Sequence, residues 1–211
     1  LALVSLGHPR GGRGAKGLFW LKVCLVSLYW LFFLKVEKYP EVLILEYGIG
    51  KPHDMDYLLS IAKPDIAIVT AIDDTPVHVE YFANPDALTD EKAKLIESLP
   101  PSGFAVLNND YERVSGMRGR TNARVVTFGF KRNAEVSIRN LAYIEENGMP
   151  AGISFRLAYA GVNVPITMRR VLGRAPAYAA AAAACLGMIF DLTLEEIAEA
   201  VKQYEAPVRR M

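Results

Sequence analysis

Between residues 41 and 130 the sequence alternates short all-apolar runs with amphipathic ones, and this rhythm limits the possible folds more than any other feature. EVLILE (41–46), DIAIVTAI (65–72), GFAVLN (103–108) and ARVVTFGF (123–130) have the length of strands. They lack the polar–apolar alternation of a strand with one face in water. Such strands must be covered on both faces, which is the situation of a strand inside a parallel sheet. The segments between them read as helices. DMDYLLSIA (54–62) has Asp54 as an N-cap, NPDALTDEKAKLIESL (84–99) has Asn84 as N-cap with Pro85 at the first position, and DYERVSGM (110–117) is short.

The rhythm changes after residue 130. AEVSIRNLAYIEENGMPAGISFRLAYAGVNVPITM (134–168) carries period-2 runs broken by Asn-Gly and Ala-Gly, the grammar of hairpins, so a small antiparallel sheet is expected there. PAYAAAAAACLGMI (176–189) reads as a closely packed helix, and TLEEIAEAVKQY (193–204) as a helix opened by a capping box of Thr193 and Glu196. The fold class expected is α/β: a mostly parallel sheet with helices on both faces, plus a small antiparallel sheet.

The 211 residues suffice for one large core, with residues 1–40 expected as an N-terminal helical segment and 41–211 as the main domain. A formal net charge of +1 with interspersed signs leaves no footprint for nucleic acid. Cys24 and Cys185 have no metal-type spacing and read as buried thiols in a reducing, cytoplasmic setting. GLFWLKVCLVSLYWLFFLK (17–35) is nearly continuous in apolar residues but is interrupted by Lys22. It suits a packed or surface-lying helix, with a peripheral membrane contact as the other use of the same stretch.

In open parallel sheets, ligands sit at the carboxyl ends of the strands. Three of the expected strands end in polar groups. The first ends in Glu46, beside Gly48 and Gly50. The second ends in Thr70 and leads to Asp73, Asp74, His78 and Glu80. The third ends in Asn108, Asn109 and Asp110. On the 84–99 helix, Lys92 falls on the apolar stripe of Leu88, Leu95, Ile96 and Leu99, whereas Lys94 falls among acids. Either Lys92 is an inward amine whose pKa burial lowers, or its stem lies on the core and its head reaches water. GHPRGGRG (7–14) has the glycines of a phosphate loop, but Arg13 and Gly14 stand where that loop needs its lysine and hydroxyl, so it is not read as one.

Together, VLILEYGIGKPHDMDYLLSIAKPDIAIVTAI, HVEYF, EKAKLIESLPPSGFAVLNND, ARVVTFGF and VLGR…YAAAAAACLG resemble the central, ATP-binding domain of the Mur ligases, a P-loop NTPase-like fold, most closely of the MurF type. The resemblance runs from about residue 18 to the end. It implies an ATP-dependent, ADP-forming acid–amino-acid ligase of peptidoglycan precursor synthesis. Its substrates would be a UDP-sugar-peptide and D-alanyl-D-alanine, its cofactors ATP and Mg²⁺, and its reaction would run through an acyl phosphate. It also implies roles: Glu46 and His78 as magnesium ligands, Lys92 as the lysine that the family carries as a carbamate, and Asn108, Asp110 and Arg174 on the nucleotide side. Some positions depart from the family pattern. Gly50 and Lys51 stand for Asn-His, Ala71 stands for an asparagine, and Ala175, Pro176 and Ala179 stand for the polar residues of G-R-H-N-x-x-N. With no phosphate loop and no C-terminal amino-acid-binding domain in the sequence, the expectation is a chain truncated at both ends and inactive by itself. Two alternatives share the pattern: another ligase of the family, such as a folylpolyglutamate synthase-like enzyme, or a non-catalytic membrane-associated module.

Overall fold

The computed structural model describes residues 16–33, 41–72 and 81–204. The chain divides into two compact units, with the boundary between Glu46 and Tyr47.

In the first unit, helix α1 (Lys16–Phe33) forms over the long apolar stretch. It has no polar face to turn to solvent, and Leu18, Trp20, Leu21, Leu25, Leu28, Leu31, Phe32 and Phe33 are exposed while Val23 is buried. Cys24 is exposed, contrary to the burial expected of it, because it shares this uncovered surface. No helix among the described residues is long and apolar enough to cross a membrane.

The run 41–46, read from the sequence as a first strand, forms no strand, and Val42, Leu43, Ile44 and Leu45 are all exposed. Strand propensity expresses fit to a neighbouring strand and a covered face, and these four side chains have no covered face.

The second unit opens with α2 (Asp54–Ile61), then β1 (Ile66–Val69), α3 (Pro85–Glu97), β2 (Phe104–Asn108), a short α4 (Glu112–Ser115) continued by a 3₁₀ turn (Gly116–Arg120), and β3 (Arg124–Gly129). Strands β4 (Val136–Glu146), β5 (Met149–Tyr159) and β6 (Val162–Arg169) follow, and helices α5 (Ala175–Ile189) and α6 (Leu194–Lys202) close it. The six strands make one sheet in the order β1-β2-β3-β4-β5-β6. The first four are mutually parallel and the last two pairings antiparallel. The expected small antiparallel sheet is therefore an extension of the parallel one, joined through the short β3–β4 pairing of Phe128 with Val136 and Gly129 with Ser137.

Both faces of the parallel part are covered, as the unbroken apolar runs require. Ala67, Val69, Ala105 and Leu107 face one core with Ala93 and Ile96 of α3, while Val106, Val126 and Phe128 face the other with Ala177, Ala181 and Cys185 of α5. Alternate residues of one strand thus belong to opposite cores. The two hairpin turns are Asn147-Gly148 and Ala160-Gly161, each with positive φ at both positions, the backbone of the tight turn whose twist suits adjoining strands.

The caps follow local chemistry. Asn84 accepts the Ala87 N–H at 2.8 Å, and Thr193 and Glu196 form the reciprocal capping box. Asp54 does not cap α2. The cap position is His53, with φ 72°, and the Asp54 carboxylate instead accepts the Gly50 and Lys51 N–H groups at 2.9 and 3.0 Å. These two bonds hold Asp54 below the usual carboxylate range. Neither Gly48 nor Gly50 has a positive φ, and the left-handed residue at the entry to α2 is His53.

Candidate functional site

The carboxyl ends of β2 and β3 and the first turn of α5 meet around Asp110. Asn108, the last residue of β2, is fully buried and its side-chain oxygen accepts the Asp110 N–H at 3.1 Å. Among the described residues its buried Nδ2 has no hydrogen-bond partner. Unpaired buried donors are uncommon, and one at a strand end is where a ligand atom or an ordered water would complete the set. Asp110 accepts three hydrogen bonds: from Phe130 N at 2.6 Å, Lys131 N at 2.9 Å and the Tyr178 hydroxyl at 2.8 Å. The carboxylate lies so close to β3 that a Cβ at Gly129, whose φ is +154°, would stand 2.7 Å from Asp110 Oδ1. Only glycine suits that position.

Arg174 joins the same cluster. Its Cζ lies 4.0 Å over the Phe130 ring and 5.9 Å from the Tyr178 ring centre. The Tyr178 ring meets Phe130 edge-on at 5.1 Å and packs near Phe128 and Tyr111. Arg174, distant in sequence from Asn108 and Asp110, is thus brought to Asp110, and the two residues that join them, Phe130 and Tyr178, carry no sequence signal beyond being aromatic.

Burial first, and then the hydrogen bond to Asp110 and its charge, raise the Tyr178 hydroxyl above its ordinary 10.0. A tyrosine whose folded pKa exceeds its unfolded one contributes stability that is complete below about pH 10 and is lost as pH rises through the folded value. The unfolded chain releases that proton while the native chain still holds it. The urea midpoint is therefore expected to fall as pH is raised from about 9 to about 11, around the ordinary tyrosine pKa. In Tyr178→Phe that alkaline fall should be shallower. Equal slopes in the two proteins would contradict the reading.

On α3, Lys92 is half-buried, set between the buried Glu91 and Ala93. The helix packs more of its circumference than its apolar stripe suggests. Glu91, which the pattern puts among surface acids, is buried because its Oε1 accepts the Met55 N–H at 2.9 Å and so serves the first turn of α2. Lys94 bridges the two helices, 2.6 Å from Asp56 and 2.9 Å from Glu91. Those partners, Asp56 first, raise its pKa, and the Lys94 hydrogen bond in turn lowers that of Asp56.

Glu46 is exposed at the end of the first unit, and its expected strand is absent. His78, with Asp73, Asp74 and Glu80, lies outside the described residues, as does the 7–14 stretch. Among the described residues no three His, Cys, Asp or Glu side chains gather as a metal would need. Ala175, Pro176 and Ala179 line an apolar groove of about 1200 Å³ with Val171, Ile197 and Val201, and Asn108, Asp110, Phe130, Arg174 and Tyr178 do not line it.

Residues 26–187 match the Mur ligase middle domain family. The chain belongs to this family. The Mur ligase chain is 42% identical over 99 residues to the UDP-N-acetylmuramate–L-alanine ligase of Ruegeria sp. (strain TM1040), covering 46% of this chain and 21% of that protein. It is 28% identical over 167 residues to the enzyme of the same name from Dictyoglomus turgidum, covering 79% of this chain and 34% of that one. Among solved structures, MurF from Acinetobacter baumannii superposes with a TM-score of 0.65 at 17% identity, over 76% of this chain and 34% of that one. The MurF ligase from Thermotoga maritima in complex with ADP gives a TM-score of 0.69 at 16% identity, over 98% of this chain and 44% of that one. These structures establish the α/β fold of the Mur ligase middle domain. The chain spans about a fifth to a third of the length of these curated relatives. The MurF-type resemblance read from the motifs is coarser than it looked, since these curated relatives are named as L-alanine ligases while the two solved neighbours are MurF.

Proposed function

We propose that the protein carrying this chain is an ATP-dependent, ADP-forming ligase of peptidoglycan precursor synthesis, with these residues supplying part of its nucleotide-binding domain. The family match over 26–187 is the observation that carries the reading. The gathering of Asn108, Asp110 and Arg174 at the strand ends supports it.

In this reading a carboxylate oxygen of a UDP-N-acetylmuramoyl substrate attacks the terminal phosphorus of ATP. ADP leaves, and an acyl phosphate forms. An amine then attacks the acyl carbon and expels phosphate, giving the amide. Arg174 offers guanidinium donors to a phosphate, the geometry in which arginine is strongest, and buried Asn108 offers one amide donor. Lys92, as the neutral amine, adds to CO₂ and loses a proton to become a carbamate, leaving an anion where the protonated lysine would be a cation. Mg²⁺, for which the family resemblance names Glu46 and His78, would supply neutralisation of phosphoryl charge.

The identity of the amine is the open half of the proposal. The motif resemblance favours D-alanyl-D-alanine on a UDP-tripeptide acceptor, whereas the 42% identity over 99 residues favours L-alanine on UDP-N-acetylmuramate. The test is ADP release by the full native protein with each pair. One pair should give ADP in step with amide formation. Nucleotide hydrolysis that neither pair stimulates would refute the ligase reading.

A further inference from the structure

Tyr178 is the group the reading above leaves unused, and its surroundings suit a task beyond packing. It sits one turn into α5, and its N–H donates to the Arg174 carbonyl at 3.0 Å, so the two residues share the helix's first turn. Arg174 itself has no side-chain capping bond and is exposed, and among the described residues its guanidinium only stacks on rings. A guanidinium laid on an aromatic face keeps its edge N–H groups free for an anion. Where those donors point depends on the ring beneath and on the turn that carries the arginine.

Both are tied to one carboxylate. Asp110 takes the Phe130 N–H at 2.6 Å, which sets the ring under Arg174, and the Tyr178 hydroxyl at 2.8 Å, which sets the turn above it. The Tyr178 ring closes the third side, edge-on to Phe130 at 5.1 Å. Asp110 has a further backbone donor in Lys131 N at 2.9 Å, so three of its lone pairs are spent inside the protein. The Asp110 carboxylate is thereby tied to both supports of Arg174.

We infer that Tyr178, anchored on Asp110, is a positioning residue that orients the Arg174 guanidinium towards the nucleotide phosphates, an inference that rests on the nucleotide-site reading above. Tyr178 touches no reacting atom in this account. It acts through Arg174, and the loss of its hydroxyl alone should be felt as weaker nucleotide binding with the chemistry intact.

The experiment uses the full native protein, with ATP as the probe, and compares Tyr178→Phe with Arg174→Ala. Phenylalanine keeps the ring contacts with Phe128 and Phe130 and removes only the bond to Asp110. Expected for Tyr178→Phe are a KM for ATP raised about five- to tenfold with kcat within about twofold, since uniform binding is what is lost. The KM of the other substrates should be unchanged. Arg174→Ala should raise the KM for ATP at least as much, and adding Tyr178→Phe to it should have little further effect, because the two act as one unit. If Arg174→Ala raises the KM but Tyr178→Phe does not, the positioning role is overturned and the nucleotide site stands. If neither raises it, the nucleotide-site reading fails. An equal fall in kcat for every substrate with a lowered Tm would make Tyr178 structural and also overturn the inference. Should Tyr178→Phe not fold, Phe130→Leu removes the platform instead. A raised KM for ATP is then expected, and an unchanged one would overturn the account.

Discussion

Lys92→Ala in the full native protein is expected to lower ligation by about 10²-fold or more, the scale of losing an electrostatic group that acts on charge in the transition state. The side chain is half-buried on α3, flanked by buried Glu91 and Ala93. A carbamate there would be a carboxylate-like anion about one side chain's reach from the helix. Two controls give the prediction its content. Lys92→Arg should be as inactive as the alanine variant, because a guanidinium keeps the positive charge and forms no carbamate under these conditions. Acetate or propionate added to Lys92→Ala should restore part of the rate, because a small carboxylate can occupy the vacated place. Full activity in Lys92→Ala would remove Lys92 from the mechanism. Inactivity without rescue, together with an active Lys92→Arg, would leave a cationic role in place of the carbamate.

Phe128→Ala is expected to cost about 3–5 kcal/mol, the range for deleting a large aromatic from a packed core. Phe128 is fully buried in β3, belongs to the core shared with α5, and stands 6.4 Å from the Tyr178 ring. Its loss opens a void under both α5 and the Asp110 cluster. Urea unfolding followed by circular dichroism reads the effect as a drop in midpoint at unchanged slope. A loss below about 1 kcal/mol, no more than deleting a single buried methylene costs, would mean that the sheet–α5 contact contributes little to stability.

What the sequence revealed and what it hid divide along a physical line. β2 and β3 were legible because a strand covered on both faces must be apolar throughout, and residues 104–108 and 124–129 are nearly so. The Asn84 and Thr193 caps were legible because their chemistry is complete within four residues. Residues 41–46 have the same apolar character as a buried strand yet form none, since composition cannot say whether a partner is present. Glu91 was hidden because its burial is decided by the N–H of Met55, 36 residues away. Tyr178 was hidden for the same reason, its partner Asp110 being 68 residues distant. Asp110 was legible as a polar residue at a strand end, but its three intramolecular hydrogen bonds were not, because their donors lie at residues 130, 131 and 178.

The central claim is that the protein activates a carboxylate by direct phosphoryl transfer. The most direct test follows oxygen. With the acceptor carboxylate labelled by ¹⁸O and the full native protein supplied with ATP and the matching amine, one labelled oxygen should appear in inorganic phosphate for each amide formed, alongside ADP. Unlabelled phosphate, or AMP and pyrophosphate in place of ADP and phosphate, would contradict the account.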